Sequence, residues 1–213
     1  MAREAMDGPA AVLARALAAR LCHDLAGALG TLTGCLDVLA EEATIEDEAF
    51  DLARRTAAEA VARVRLFRAA WAGGEEPLSI AAITRLADAL PRRHLITLDL
   101  DALGNSTVPP AMGAVVLNVL LLAAEALPTG GAITMVRDRA QDWVLTVAGR
   151  QAGWPGGLAA ALSAPDAVPA GGPVTVAMAV LAAAAAGVRL SLLMAGPGHV
   201  PPLLIGRVEA GAG

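Results

Sequence analysis

Hydrophobic side chains in the first third of the chain recur at spacings of three and four residues, which is the pattern of amphipathic helices. The spacing predicts one long helix over about residues 9–42 and a second over about 45–72. A stripe of leucines follows the whole first helix: Leu13, Leu17, Leu21, Leu25, Leu29, Leu32, Leu36 and Leu39. The short connection predicts that the two helices are antiparallel neighbours. Because two helices cannot enclose so long a stripe, we expect a second copy of the chain to complete a four-helix bundle.

The composition changes at Gly73-Gly74-Glu75-Glu76-Pro77, which predicts a boundary between a helical hairpin, residues 1–74, and a second domain, residues 75–213. Beyond the boundary, helical segments alternate with segments that have the two-residue period of strands. The predicted helices span 80–90, 110–127 and 174–186, with room for a short helix at 158–162, and the predicted strands span 95–100, 132–137, 143–148, 188–195 and 202–208. This order predicts an α+β fold in which helices cover one face of a mixed sheet.

Charge and hydropathy narrow the class of protein. The formal charge of −5 leaves no basic excess to displace counterions from a nucleic acid, so we expect no nucleic-acid partner. The apolar stretches at 112–127, interrupted by Asn118 and Glu125, and at 174–188 both fall short of the roughly 18 residues of a membrane span. The first residues lack the basic and apolar regions of a secretory signal. We therefore expect a soluble cytoplasmic protein.

The two cysteines do not have the arrangement of a metal site. Cys22 and Cys35 point to nearly opposite faces of one helix, and no second Cys/His pair accompanies them. We interpret them as small buried or half-buried thiols and expect no metal on this chain.

His23, in the run Leu21-Cys22-His23-Asp24-Leu25, is the candidate for chemistry. Its side chain is turned about 200° from Leu21, so we expect it to face solvent. The residues that share or adjoin this face are small: Ala26, Gly27, Gly30 and Gly34. Glycine inside a helix costs about 1 kcal/mol relative to alanine, which suggests that a partner backbone comes close. Periodicity alone leaves two readings open, a docking face around a reactive histidine or ordinary close packing beside an inert one.

The same run resembles the phosphoacceptor helix of the ChpT-type histidine phosphotransferases and, more distantly, the H-box of histidine kinases. The resemblance continues through Gly34, Leu36, Leu39, Ala40, Glu41 and Glu42. It implies that His23 accepts a phosphoryl group from one receiver-domain aspartate and passes it to another. Imidazole suits this role because its neutral form is nucleophilic and is the main form near neutral pH.

The resemblance also suggests roles for the neighbours of His23. Asp24 would orient or polarise the imidazole, or would instead be a helix charge paired with Arg20 four residues earlier. Arg20 is a candidate for steadying the incoming phosphoryl group, and the small face of Ala26 and the three glycines is the candidate docking face. Kinases that also act as phosphatases carry Thr or Asn where this chain has Gly27, which implies no phosphatase activity.

The second domain resembles a degenerate ATP-binding domain of the GHKL kinases, with the Bergerat-like α/β sandwich that this implies. Residues 118–131 resemble the N-box helix and its turn, and Gly171-Gly172, the helix after it, Gly187 and residues 190–193 resemble the later glycine box, helix and strand. The asparagine that helps to hold Mg²⁺ is replaced by Leu122, and residues 148–152 lack the aspartate that binds adenine. An apolar side chain at a ligand position leaves the triphosphate charge uncompensated. We therefore expect no ATP binding, no autokinase activity and no cofactor, with Mg²⁺ held by the partner receiver.

The resemblance further implies the partners: a CckA-like hybrid histidine kinase, response regulators of the CtrA and CpdR type, and a second copy of the chain. Two alternatives stay open. One is a sensor histidine kinase with an unusual ATP site, and the other is a non-catalytic dimeric scaffold for response regulators in which His23 is incidental. Joint Cys–His catalysis by Cys22 and His23 fails, because adjacent helical side chains diverge by about 100°.

Overall fold

The computed structural model describes residues 9–41, 47–72, 75–138, 140, 142–164 and 173–207. The chain forms two compact units, Met1–Arg65 and Leu66–Gly213. Helix α1 spans Pro9–Glu41 and helix α2 spans Asp47–Trp71, which confirms both predicted helices within the described residues. The connection between them and the predicted boundary glycines, Gly73 and Gly74, lie outside the described residues.

The first unit is the hairpin of α1 with most of α2. The guanidinium Nη1 of Arg63, on α2, donates a hydrogen bond to the main-chain oxygen of Asp24, on α1, at 3.4 Å. Cys35 and Ala53 are buried, whereas Cys22, which was expected to be buried or half-buried, is exposed. Many large apolar side chains of the hairpin nevertheless remain exposed: Leu29, Leu36, Val38, Phe50, Leu52, Val61 and Val64. Two helices cover only part of their own apolar surface.

The second unit begins with the last turn of α2 and adds four helices and seven strands among the described residues. These are β1 (Leu78–Ser79), α3 (Ile80–Ala87), β2 (Ile96–Asp99), β3 (Thr107–Val108), α4 (Pro110–Glu125), β4 (Gly131–Arg137), β5 (Trp143–Ala148), α5 (Leu158–Ser163), α6 (Val174–Ala185), β6 (Val188–Leu192) and β7 (Leu203–Arg207). Five strands form a sheet in the order β2-β4-β5-β7-β6, with β2 and β4 parallel and the other pairs antiparallel. Strands β1 and β3 form a separate antiparallel ribbon.

The core of the second unit lies between the helices and one face of the sheet. Helix α4 is apolar on nearly all sides and is buried along most of its length, as expected for a helix enclosed by protein. On the sheet, the paired residues that point towards the helices are buried: Ile133 and Val147, Met135 and Leu145, and Leu203 opposite Leu145. The expected α+β fold, with a helical hairpin followed by helices over a mixed sheet, is confirmed. Of the helices in the described residues, none is long and apolar enough to cross a membrane.

Several element limits differ from the predicted ones for local reasons. The predicted strand over 188–195 ends at Leu192, because its partner β7 begins at Leu203 and the two residues are paired at the end of the ladder. Met194, two residues beyond, is fully exposed. Strands β1 and β3 were not predicted, since two residues are too few to show a period.

Asn118 anchors the end of α2 to the second unit. Its side chain is 1% exposed. The amide Oδ1 accepts a hydrogen bond from the indole Nε1 of Trp71 at 2.9 Å, and Nδ2 donates to the carbonyl oxygens of Ala70 at 2.8 Å and Ala114 at 2.9 Å. The ring of Phe67 stacks on that of Trp71 with centroids 4.4 Å apart. This buried cluster explains why the compact units divide inside α2 rather than after it.

Two consecutive glycines form the turn that starts β4. Gly130 has φ +85° and Gly131 has φ +147°, in the region that L side chains rarely adopt. A Cβ on Gly130 would lie 2.4 Å from the carbonyl oxygen of Leu95, and one on Gly131 would lie 2.2 Å from that of Ala148. The glycines therefore let β4 enter the sheet between β2 and β5 without a clash.

We predict that Asn118→Ala destabilises the second unit, because the Trp71 indole and the Ala70 carbonyl lose their buried partner. Each unpaired buried group costs about 1–3 kcal/mol, so we expect the free energy of unfolding to fall by about 3 kcal/mol in a urea titration. Asn105→Ala is the matched control, since Asn105 is exposed and should change stability by no more than about 0.5 kcal/mol. Equal stabilities of the two variants would contradict the anchoring role of Asn118.

Candidate functional site

His23 lies in the middle of α1 with an exposed side chain. At 100° per residue, His23, Gly27, Gly30 and Gly34 occupy one sector of the helix about 60° wide. Leu29 points about 120° away from His23, and Leu36 points about 140° away. The histidine and the apolar stripe of α1 therefore lie on different faces of the helix, as the sequence predicts.

The glycines beside His23 have no packing role within the described chain. A Cβ added to Gly27, Gly30 or Gly34 would meet no atom within 4 Å. Ala26 is exposed in the same region. The described residues thus supply nothing that offsets the low helix propensity of these glycines, and the surface next to the imidazole is flat and open.

Asp24 forms an ion pair with Arg20, the pairing that the spacing of four residues predicts. The Nε of Arg20 donates to Oδ2 of Asp24 at 2.7 Å, with side-chain exposures of 25% and 14%. Among the described residues, no hydrogen bond joins this carboxylate to the imidazole of His23. A direct effect of Asp24 on the ring stays a prediction, as does the contact of Arg20 with a phosphoryl group.

Arg63 is a residue near the site that sequence reasoning missed. Its Nη1 donates to the main-chain oxygen of Asp24, the residue that follows His23, at 3.4 Å. Its Nε is buried and has no partner among the described residues. The only signal in the sequence is its place on the second helix, and the pairing with Asp24 becomes visible once the register of the hairpin is known.

In the second unit, the residues that resemble a nucleotide site are used for packing. The side-chain amide of Asn118 is hydrogen-bonded to Trp71, Ala70 and Ala114. Leu122 is fully buried in α4. These two side chains belong to the core and present no ligand atom to a metal ion.

A carboxylate lies at the start of α6, where a helix favours an anion. Oε2 of Glu125, at the end of α4, accepts a hydrogen bond of 2.6 Å from Oγ1 of Thr175, in the first turn of α6. Thr175 is 1% exposed. The expected glycine box, Gly171-Gly172, lies outside the described residues.

Comparison with known proteins identifies the family of the second unit and the overall fold. The family model of the histidine phosphotransferase C-terminal domain matches residues 82–198. The solved structure of a bacterial phosphotransferase is similar at 23% identity, with a TM-score of 0.68 over 91% of this chain and 94% of that chain. No curated protein matches the chain.

Two histidine kinases are also similar, at TM-scores too low to support an argument. The histidine kinase domain of the blue-light activated kinase from Erythrobacter litoralis EL346 has 19% identity and a TM-score of 0.40, over 91% of this chain and 92% of that chain. Acinetobacter baumannii histidine kinase AdeS has 12% identity and a TM-score of 0.43, over 89% and 98%. The family model covers more than half of the sequence, and on that match the chain belongs to the histidine phosphotransferase family.

Proposed function

We propose that this member of the family carries a phosphoryl group on His23, accepting it from the receiver aspartate of a hybrid histidine kinase and delivering it to response-regulator receivers. Family membership supports a role in a phosphorelay, but the matched residues, 82–198, do not include His23. The observation that carries the assignment is the exposed His23 on a helix face where three glycines leave open space. The donor and acceptors implied by the resemblance are CckA-like, CtrA-like and CpdR-like proteins in the cytoplasm.

The proposed step needs little covalent chemistry from the protein. A nitrogen of the neutral imidazole attacks the phosphorus of the receiver acyl phosphate, the N–P bond forms, the P–O bond breaks, and the aspartate leaves as a carboxylate. The transition state is loose, so positioning and charge dominate its stabilisation. Transfer to the next receiver reverses the step. We assign the Mg²⁺ of the reaction to the receiver and expect this chain to hold no metal or cofactor.

The proposed docking surface is the sector of α1 around His23. Ala26 and the glycines Gly27, Gly30 and Gly34 would let a receiver helix approach the α1 backbone closely, because no Cβ larger than that of alanine stands between them. Arg20, on the turn before His23, would then lie at the edge of the interface. The close approach would bring the acyl phosphate within reach of the imidazole.

We further propose that the hairpin forms a four-helix bundle with a second copy of the chain. Leu29 and Leu36 are each 60% exposed, and Phe50, Val61 and Val64 of α2 are about half exposed. Burying a leucine side chain stabilises a fold by about 1.5–3 kcal/mol. An isologous contact of this apolar face with itself would remove it from water while leaving the His23 sector of each copy open.

The second unit is proposed to lack nucleotide binding. Asn118 is 1% exposed with its amide hydrogen-bonded inside the unit, and Leu122 offers no oxygen or nitrogen to a metal ion. Both features oppose a Mg²⁺-triphosphate complex, which needs oxygen ligands for the metal.

We predict that His23→Ala abolishes acceptance of a labelled phosphoryl group from a purified phosphorylated receiver domain in the absence of ATP. The wild type should gain acid-labile label, because phosphohistidine is stable in base and hydrolysed in acid. His94→Ala is the matched control, since His94 is an exposed histidine of the second unit, and it should be labelled like the wild type. Absence of label on the wild type across several receivers would favour the scaffold function instead.

We predict that calorimetric titration with ATP and Mg²⁺ gives no saturable binding up to millimolar nucleotide. The reason is that Asn118 is hydrogen-bonded inside the unit and Leu122 is apolar, so neither offers a ligand to Mg²⁺. An active kinase ATP-binding domain, titrated in parallel, should bind under the same conditions. A micromolar dissociation constant for this chain would refute the proposal and favour the sensor-kinase alternative.

We predict that the double variant Leu29→Glu, Leu36→Glu is monomeric in light scattering, whereas the wild type has twice the mass of one chain. The charges would be buried without partners in the bundle, at a cost that exceeds the apolar contacts they replace. Val38→Glu is the control, because Val38 is also an exposed apolar residue of α1 but points about 200° away from Leu36. A monomeric wild type would overturn the dimer.

A further inference from the structure

Among the described residues, Arg63 is the arginine of α2 that hydrogen-bonds to α1. Its Nη1 lies 3.4 Å from the main-chain oxygen of Asp24, and Asp24 follows the proposed phosphoacceptor directly. The bond therefore links the second helix of the hairpin to the helical turn that carries the His23 imidazole.

The side chain of Arg63 lowers the stability of the hairpin at its half-buried position. Its Nε is buried and unpartnered among the described residues, and an unsatisfied buried donor of a charged group opposes folding. An apolar side chain of similar length would fill the half-buried position between the helices without that cost. The packing of the hairpin thus gives no reason for an arginine at this position.

The charges around His23 do give a reason. Asp24 is balanced by Arg20 at 2.7 Å, whereas no ion pair of Arg63 is found among the described residues. The guanidinium of Arg63 therefore brings a positive charge to the main chain of Asp24. A phosphoryl group in transfer spreads negative charge over its oxygens, so a fixed positive charge close to the histidine favours its arrival.

We propose that Arg63 is a positioning residue for phosphotransfer at His23. Its hydrogen bond to the Asp24 carbonyl fixes the turn that carries the imidazole against α2, and its unbalanced charge favours the phosphoryl group on that turn. The assignment rests on the proposed function of His23. It adds a residue of α2 to the site, since all earlier candidates lie on α1.

Three variants test the assignment. Arg63→Met keeps the apolar stem between the helices and removes the charge and the donor. Arg63→Lys keeps the charge but loses the planar fork of the guanidinium. Arg65→Met is the matched control, because Arg65 lies on the same helix and is exposed. Urea unfolding of each variant checks that the hairpin and the second unit remain folded.

Single-turnover transfer from a labelled receiver is measured over a range of receiver concentrations. We expect Arg63→Met to lower the saturating rate about tenfold, equivalent to about 1.4 kcal/mol, with the half-saturating concentration unchanged. Arg63→Lys should recover part of the rate, and Arg65→Met should stay within about twofold of the wild type. A purely structural role would not separate the two kinetic parameters or respond to lysine.

Phosphorylation of His23 by the small donor phosphoramidate provides a measurement without a receiver. Because the proposed role concerns the turn and its charge, Arg63→Met should slow this reaction as well. A labelled wild type with equal rates for Arg63→Met and Arg65→Met would overturn the assignment of Arg63 alone. A wild type that takes no label from any donor would overturn the function of His23, and the assignment of Arg63 with it.

Discussion

The buried amide of Asn118 constrains the second unit more than any other polar group in the described residues. Its three hydrogen bonds hold the last turn of α2 on α4, and the neighbouring Phe67 and Trp71 fill the space beside it. Leaving the polar atoms of a buried amide without hydrogen-bond partners costs the fold several kcal/mol, so the three hydrogen bonds favour one another's formation. The amide that anchors α2 is thereby enclosed in the core and hydrogen-bonded within the unit.

Two other side chains of α4 are also used in contacts within the unit. Leu122 is enclosed by the core, and Glu125, at the end of the helix, is engaged by Thr175 of α6. A domain that binds Mg²⁺ and triphosphate must keep polar groups exposed in a cleft, at a cost to its packing. In this chain Asn118 and Leu122 lie in the core instead, where they contribute to packing.

The sequence predicted the elements well and the contacts poorly. The leucine spacing located α1 to within one residue at its C-terminal end, and the alternation in 132–137 and 143–148 located β4 and β5, because long periodic segments carry a strong signal. Ribbon strands of two residues carry none. The place of Arg63 beside Asp24 depends on the register of two helices, and two of the three partners of Asn118, Trp71 and Ala70, lie nearly fifty residues earlier. Neither contact could be found from a local pattern.

The balance of charge around His23 bears on why a carrier would use both arginines and an aspartate. A group that must give its phosphoryl away cannot hold it tightly, since strong ground-state binding raises the barrier to the next transfer. The ion pair with Asp24 offsets the charge of Arg20, and Arg63 brings a second guanidinium from α2 to the main chain of Asp24. A single guanidinium without a carboxylate partner would attract the phosphoryl group in transit without trapping it. On the proposed function, this partial neutralisation suits reversible transfer better than an uncompensated pair of arginines would.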